Sequence, residues 1–343
     1  MPLEFSEIAG AAEDLNARRE QRRKDKEPKT FEESRLELLL ILEWARTRFA
    51  DQEEPANAIV HGLVMRLHEF RNACDPAIWR ELLPEAQRHS LGDYLLQDPF
   101  TRRSFDKPRG YSGDGVLLDL LYRHPSIEPR VAESSLLGQD IYAYTSISSS
   151  AVAVRERRDL LGEWVDETAA RVRTPEILAI AGGHLRESEK SVALAEGRVG
   201  RWLSVDQDPA NLAVVAEDYA GTAIETLAGS VKGLVAGTHD IGQFDFAYSA
   251  GVYDYLPDEA AVLLTRQILA RLKPGGSFVF GNFSTEVIPD GYMETFMNWQ
   301  LMMRTEAQMR ALAEASVKGQ DAQAEVFFGR NRHIVYARIT RKS

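Results

Sequence analysis

From Phe31 to about Ser90 apolar residues recur at three- and four-residue steps: Leu36, Leu39, Leu40 and Trp44, then Ile59, Leu63, Leu67 and Phe70. That period predicts helices packed against one another. The run Leu38–Leu42 is too short to cross a membrane and fits a helix buried among helices. After a glycine- and proline-rich break, Val116–Tyr122 resumes a helix, and Ala153–Arg158 begins another. The period then changes. Ile177, Leu178 and Ile180 form an apolar run that ends in Ala181-Gly182-Gly183, as a buried parallel strand does at a tight turn. A helix is predicted from His184, with Glu187, Glu189, Lys190 and Glu196 on its wet side. Further strands are predicted at Trp202–Val205 (closing on Asp206), Ala223–Leu227, Phe244–Tyr248 and Ser277–Phe283. Before the last of these, an amphipathic helix over Leu263–Leu272 is stopped by Lys273-Pro274-Gly275-Gly276. Gly291–Ala315 reads as a helix rich in methionine, either adaptable core or a cap over a pocket. Glu325–Phe328 and His333–Ile339, joined by Gly329-Arg330-Asn331-Arg332, read as a closing hairpin.

Strand, glycine turn, helix, strand, acid is the order of a βαβ nucleotide-binding unit, with Asp206 placed to accept from a ribose hydroxyl. The turn lacks G-x-G-x-x-G, so it offers no dinucleotide pyrophosphate site of the usual kind. The bland alternative is an ordinary α/β unit with a glycine turn. The expected organisation is a polar arm over 1–30, a helical N-terminal segment over 31–150 forming a lid over the site or a face for a homodimer, and an α/β domain over 151–343.

Composition narrows the function. The chain has 343 residues, 44% hydrophobic and 27% charged, with a net charge of −11, which argues against general nucleic-acid binding. The basic run Arg18–Lys26 reads as a solvated helix end or an arm. Cys74 stands alone, so no internal disulfide forms, and a buried inert thiol is the expectation. No signal-like or membrane-spanning apolar run is present, and the expected location is the cytoplasm. The seven histidines are dispersed, with none at i, i+4 spacing, so no metal site is expected.

Three other stretches combine reactive or charged groups with tight-turn residues. Asp98–Asp114 packs Lys107, Arg109, Tyr111 and Asp114 around Pro108, Gly110 and Gly113. Asp114 can equally be read as an N-cap for the helix that follows. Arg155, Arg157 and Arg158 read as a solvated helix face with Glu156 and Asp159, and Tyr142 and Tyr144 as pocket or packing residues. Ser249-Ala250-Gly251-Val252-Tyr253-Asp254-Tyr255-Leu256 follows the fourth strand and, with Tyr248, sets three tyrosines within eight residues.

Pro175–Asp208 resembles motif I of class I S-adenosylmethionine (SAM)-dependent methyltransferases, although Ala179, Ala181 and Leu185 stand where an acid and two glycines are usual. Lys107–Asp114 resembles the K-P-R-G-Y-x-G-D element of a bacterial subgroup that includes the fatty-acid methyl-ester signal synthases. Ser249–Leu256 resembles a further mark of the same group, and the Leu-Lys-Pro-Gly-Gly turn resembles motif III of the methyltransferase superfamily. The resemblance implies a Rossmann-like sheet, mostly parallel with one antiparallel strand, and SAM as cofactor. It places cofactor contacts at Lys107, Arg109, Tyr111 and Arg155; at Ala181, Gly182, Gly183, His184 and Glu187; at Asp206 and Gln207; at Gly229, Ser230 and Val231; and at Ser249, Ala250 and Gly251. Tyr111, Tyr253, Asp254 and Tyr255 are the catalytic candidates, and Tyr111, His184 or Asp254 could position an acceptor.

Three activities are then open. The first is methyl transfer to a small oxygen or nitrogen acceptor; a carboxylate would need little help from a base but would want cations such as Lys107, Arg109 and Arg155. The second resembles the bacterial azetidine-2-carboxylate synthases, in which SAM alone is cyclised with loss of methylthioadenosine in a dry aromatic pocket. The third is a SAM-binding regulator without turnover.

Overall fold

The computed structural model describes residues 29–343, so the Arg18–Lys26 run lies outside the described residues. Thr30 opens α1 (Phe31–Asp51) with a capping box: its hydroxyl accepts from the Glu33 amide while Glu33 reaches back to the Thr30 amide. The buried stripe of α1 is Leu38, Leu42, Ala45 and Phe49. Leu36 and Leu40, expected on that stripe, are 60% and 63% exposed, because the run of leucines allows two helical phases and packing selects the other one. In α2 (Ala56–Ala73) the expected Ile59, Leu63, Leu67 and Phe70 are all buried. There follow α3 (Pro76–Gln87), α4 (Pro99–Asp106), α5 (Gly115–Tyr122), α6 (Leu136–Thr145) and the long α7 (Ser149–Arg171). Asp114 is the N-cap of α5, its Oδ1 accepting from the Leu117 amide at 2.9 Å and from Arg103 Nε at 2.8 Å.

Seven strands form one sheet: β1 (Glu176–Ile180), β2 (Arg201–Asp206), β3 (Ile224–Ala228), β4 (Phe244–Ser249), β5 (Leu272–Phe283), β6 (Ala322–Phe328) and β7 (Ile334–Arg341). Their spatial order is β3-β2-β1-β4-β5-β7-β6, parallel from β3 through β5, with β7 antiparallel to both its neighbours. This is the Rossmann-like, mostly parallel sheet with a reversed strand that the sequence predicts. The helices after β2, β3 and β4 are α8 (Pro209–Asp218), α9 (Val231–Ala236) and α10 (Asp258–Leu269). Side chains alternate across the sheet. Ile177, Ala179, Phe246, Tyr248 and Val279 face one core, which they share with Leu38, Leu63 and the rest of the helical segment. Leu178, Ile180, Phe278 and Phe280 face a second core, against α10 and the helix Glu306–Val317.

Three expected elements differ. No regular helix follows the glycine turn; Arg186–Lys190 is a 3₁₀ stretch and Val192–Ala195 one short turn, and Glu187, expected on a wet face, is buried. Lys273–Gly276 is not a loop between helix and strand. Helix α10 ends earlier, at Leu269, and Leu272 already pairs with Phe244, with an irregularity in register before Ser277 pairs with Phe246. The methionine-rich helix is split into α11 (Asp290–Thr295) and α12 (Glu306–Val317). Asn298 takes a left-handed conformation, and Thr305 and Gln308 form a capping box that starts a new helix. Among the described residues no helix is long and apolar enough to cross a membrane.

Candidate functional site

The chain steps from β1 outward to β2 and β3, then returns to place β4 on the other side of β1. Beyond the C-terminal ends of β1 and β4 the connections therefore diverge and leave a crevice, where an open α/β sheet binds its ligands. A cavity of about 410 Å³ occupies that place. Its volume lies toward the low end of the ~300–1,000 Å³ usual for small-molecule sites.

The turn after β1 is contorted. Ala181, Gly183 and Leu185 all have positive φ, at 52°, 58° and 54°. For the two residues with side chains that costs on the order of 1–2 kcal/mol each. Ala181 donates its amide to the Val205 carbonyl at 2.7 Å, and Leu185 to the Gly182 carbonyl at 2.9 Å. At Gly182 a Cβ would lie 2.5 Å from Ser204 Oγ, so a side chain there would have to displace that hydroxyl. The Gly183 amide points across to β2 and donates to Asp206 Oδ2 at 2.9 Å.

Asp206 is buried at the end of β2, where burial pushes its carboxyl above the ordinary range and the amides of Asp208 and Gly183 oppose the push. Its Oδ1 accepts from the Asp208 amide at 2.8 Å. Asp208 in turn receives the loop before α5. Arg109 Nε donates to Asp208 Oδ2 at 2.9 Å and Nη2 to Oδ1, and the Tyr111 hydroxyl donates to Oδ2 at 2.9 Å. The Arg109 guanidinium holds the Asp208 carboxyl down at about 2. Asn211 Nδ2 donates to the Tyr111 hydroxyl at 3.2 Å, so that Tyr111 and Asn211 together form one wall of the cavity.

The opposite end of the cavity collects charge. Asp254, just past β4, is 3% exposed; its Oδ1 accepts from the Phe283 amide at 2.7 Å, and burial pushes its carboxyl up to about 7. Arg157 comes down from α7, buried, with Nη1 donating to the Ala250 carbonyl at 2.8 Å. Glu187 accepts from the Tyr248 hydroxyl at 2.6 Å, and burial raises its carboxyl as well. The Tyr255 hydroxyl accepts from Trp299 Nε1 at 2.7 Å, which ties the irregular stretch between α11 and α12 to the rim.

Of the residues proposed from sequence, Tyr111, Ala181, Gly182, Gly183, Glu187, Asp206, Gln207, Gly229, Val231, Ala250, Gly251, Asp254 and Tyr255 line this cavity. The others do not. Tyr253 is fully buried in the core, its ring stacked on Phe280 at 3.9 Å and its hydroxyl bonded to Thr265 at 2.7 Å. His184 points away, to Asp119. Ser230 caps α9, and the Ser249 hydroxyl is buried toward the Ile180 carbonyl. Lys107 caps α4 in a left-handed conformation, Arg109 is committed to Asp208, and Arg155 donates to the Leu121 and Ser146 carbonyls. Arg157, read from sequence as solvated, lies on the buried side of α7 because its neighbours Val154 and Leu161 face the core. Asn211, Tyr122 and Trp299 also line the cavity without having been assigned to it. The sequence signal that could have found Asn211 is its helical spacing of three from Asp208. Among the described residues, no group of three or more His, Cys, Asp or Glu is placed to hold a metal.

No family model matches the chain, and no curated protein matches it. Among solved structures it is similar to a possible exported protein from Bordetella parapertussis, 18% identical over 90% of this chain and 97% of that one, with a TM-score of 0.54. The N-methyltransferase NodS from Bradyrhizobium japonicum WM9 aligns with 15% identity over 55% of this chain and 97% of its own, at a TM-score of 0.40. Magnesium protoporphyrin IX methyltransferase (ChlM) from Synechocystis PCC 6803 aligns with 10% identity over 67% and 100%, at 0.42. At 18% identity the likeness to the first of these is one of fold.

Proposed function

We propose that the chain binds SAM in this cavity and is a SAM-dependent transferase that methylates a small oxygen or nitrogen acceptor. The observation that carries the reading is Asp206 with the turn it faces. A carboxylate has about four acceptor directions. The Gly183 and Asp208 amides take one on each oxygen and the Asn211 amide leans on the same carboxylate, and what remains faces the cavity, where a ribose hydroxyl would donate. The same contacts argue against a dinucleotide. The Gly183 amide is already spent on Asp206, and the 3₁₀ stretch that follows offers no long helix whose N-terminus could hold a pyrophosphate. A nucleoside without phosphates suits this donor set, as does the resemblance of the turn to motif I.

Bound SAM supplies an electrophilic methyl carbon on a sulfonium. The chain's own residues supply placement, dryness and a proton acceptor. Asp206 and the glycine turn fix the nucleoside end, and the rings of Tyr111, Tyr122, Tyr255 and Trp299 give the cavity faces that suit a cation without hydrogen-bonding capacity. Asp254, raised to about 7, is partly ionised near neutrality and can take the proton of an oxygen or nitrogen nucleophile. Arg157 beside it keeps that end of the cavity cationic once Asp254 is protonated.

One observation favours a second reading. The cavity is modest, and the neighbouring one that shares Phe283 and Trp299 holds only about 20 Å³. That suits one substrate better than two, as in an intramolecular displacement that yields azetidine-2-carboxylate and methylthioadenosine.

Incubation of the purified protein with SAM alone, followed by mass spectrometry, separates the two. Azetidine-2-carboxylate with methylthioadenosine would sink methyl transfer as the main activity. Bound but unconsumed SAM, followed by S-adenosylhomocysteine release when an acceptor panel is added, is the result expected of a methyltransferase. Asp206→Ala should weaken SAM binding by at least tenfold in calorimetry with the fold unchanged, and unaltered affinity would remove SAM from this cavity altogether.

A further inference from the structure

The turn that receives the ligand is not held by its own sequence. Left-handed Leu185 lies between His184 and Arg186, and both side chains end on one carboxylate that comes from the helical segment. Asp119 Oδ2 bonds His184 Nδ1 at 2.8 Å, while Arg186 donates Nε to Oδ1 at 2.9 Å and Nη2 to Oδ2 at 3.1 Å. All three residues are at least 95% buried, and none of them lines the cavity. Burial works against the charge on Asp119, but the bonds from His184 and Arg186 outweigh it and bring the carboxyl down to about 2. Arg186 also donates Nη1 to Asp218 Oδ2 at 2.7 Å, which anchors the assembly to the end of α8.

Helix α5 is shaped for this contact. A Cβ on Gly115, its first residue, would meet the His184 ring at 2.4 Å, and one on Gly183 would meet the Gly115 Cα at 3.8 Å. The helix therefore rests directly on the turn. Eight and ten residues upstream of Asp119, Tyr111 and Arg109 bolt the loop before the same helix to Asp208, next to Asp206.

We infer that Asp119 is a positioning residue for the nucleotide site. It fixes His184 and Arg186 on either side of Leu185, and so sets the direction of the Gly183 amide and the Asp206 carboxylate that amide meets. The turn departs from a glycine-rich pattern at Ala181 and Leu185, and the helical segment provides from outside the constraint that regular helix and glycines would otherwise provide from within. The consequence for ligand binding rests on the SAM reading above; the consequence for the turn does not.

The test compares Asp119→Asn with Leu42→Ala, a cavity variant deep in the helical segment and remote from the turn, at a temperature where both are folded. Amide hydrogen exchange over residues 181–188 is read without ligand, and SAM affinity and kcat are read with it. Asp119→Asn should speed exchange in those residues and raise the Kd for SAM about tenfold, with kcat at saturating SAM within about threefold of wild type; Leu42→Ala should do neither. Arg186→Lys, which keeps the charge but loses the two-pronged grip, should move the same readouts less far. Equal behaviour of Asp119→Asn and Leu42→Ala, or unaltered exchange in Asp119→Asn, overturns the inference. If wild-type protein binds no SAM, the proposed function fails while the exchange comparison still decides this point.

Discussion

Asp254 enters the interior as an acid with a single strong donor, the Phe283 amide, and its position has a price in stability that depends on pH. Its carboxyl is raised from the ordinary range near 4 to about 7, chiefly by burial. Between those values the unfolded chain has released the proton and the folded one still holds it, so its contribution to stability falls as pH rises from about 4 to about 7 and is level above. Asp254→Asn keeps an acceptor for Phe283 and removes the titration. Urea midpoints should show the variant more stable than wild type at pH 8, by up to roughly 4 kcal/mol, with the gap closing toward pH 4. A gap independent of pH would mean that Asp254 is ionised throughout. The same site shows what a sequence reveals at this scale. Asp206 was legible because an acid that closes the second parallel strand of a βαβ unit ends beside the crevice. Tyr253 and Tyr255 were not separable, because a 3₁₀ turn follows β4 and points one ring into the core beside Phe280 and the other to the rim. Arg157 failed for a related reason: the buried face of α7 depends on what packs there.

Helix α5 depends on a close approach that one methyl group would block. Gly115→Ala should cost roughly 1–3 kcal/mol through overpacking against His184 and weaken SAM binding, even though alanine favours helix. Thermal unfolding and ligand titration check both, and a variant as stable as wild type with full affinity would show that the helix can shift without cost. All seven strands were legible from apolar runs, and the hairpin from its turn residues, since both signals are local. What followed Gly183 was not. The sequence from His184 suits a helix, but Arg186 and Glu187 find buried partners in Asp119 and Tyr248, and these tertiary bonds prevail over a regular helix. The break between α11 and α12 was marked by Thr305 and Gln308, a capping box that the methionine pattern obscured.

At the scale of the whole chain, the helical segment and one face of the sheet share a core that runs from Leu38 to Tyr336. Calorimetry should accordingly show a single unfolding transition for residues 31–343, and two resolved transitions would establish the helical segment as an independent unit. The division at residue 150 foreseen from sequence falls inside α7, and the apolar contacts are continuous across it. The order of the strands bears on how such a chain is made. β7 lies between β5 and β6 but is synthesised after every other strand. Until it emerges, β5 is an open edge carrying Phe278 and Phe280, paired on one side only. Between the synthesis of β5 and that of β7 the nascent chain therefore carries a sticky seam, open to mispairing until β7 closes it.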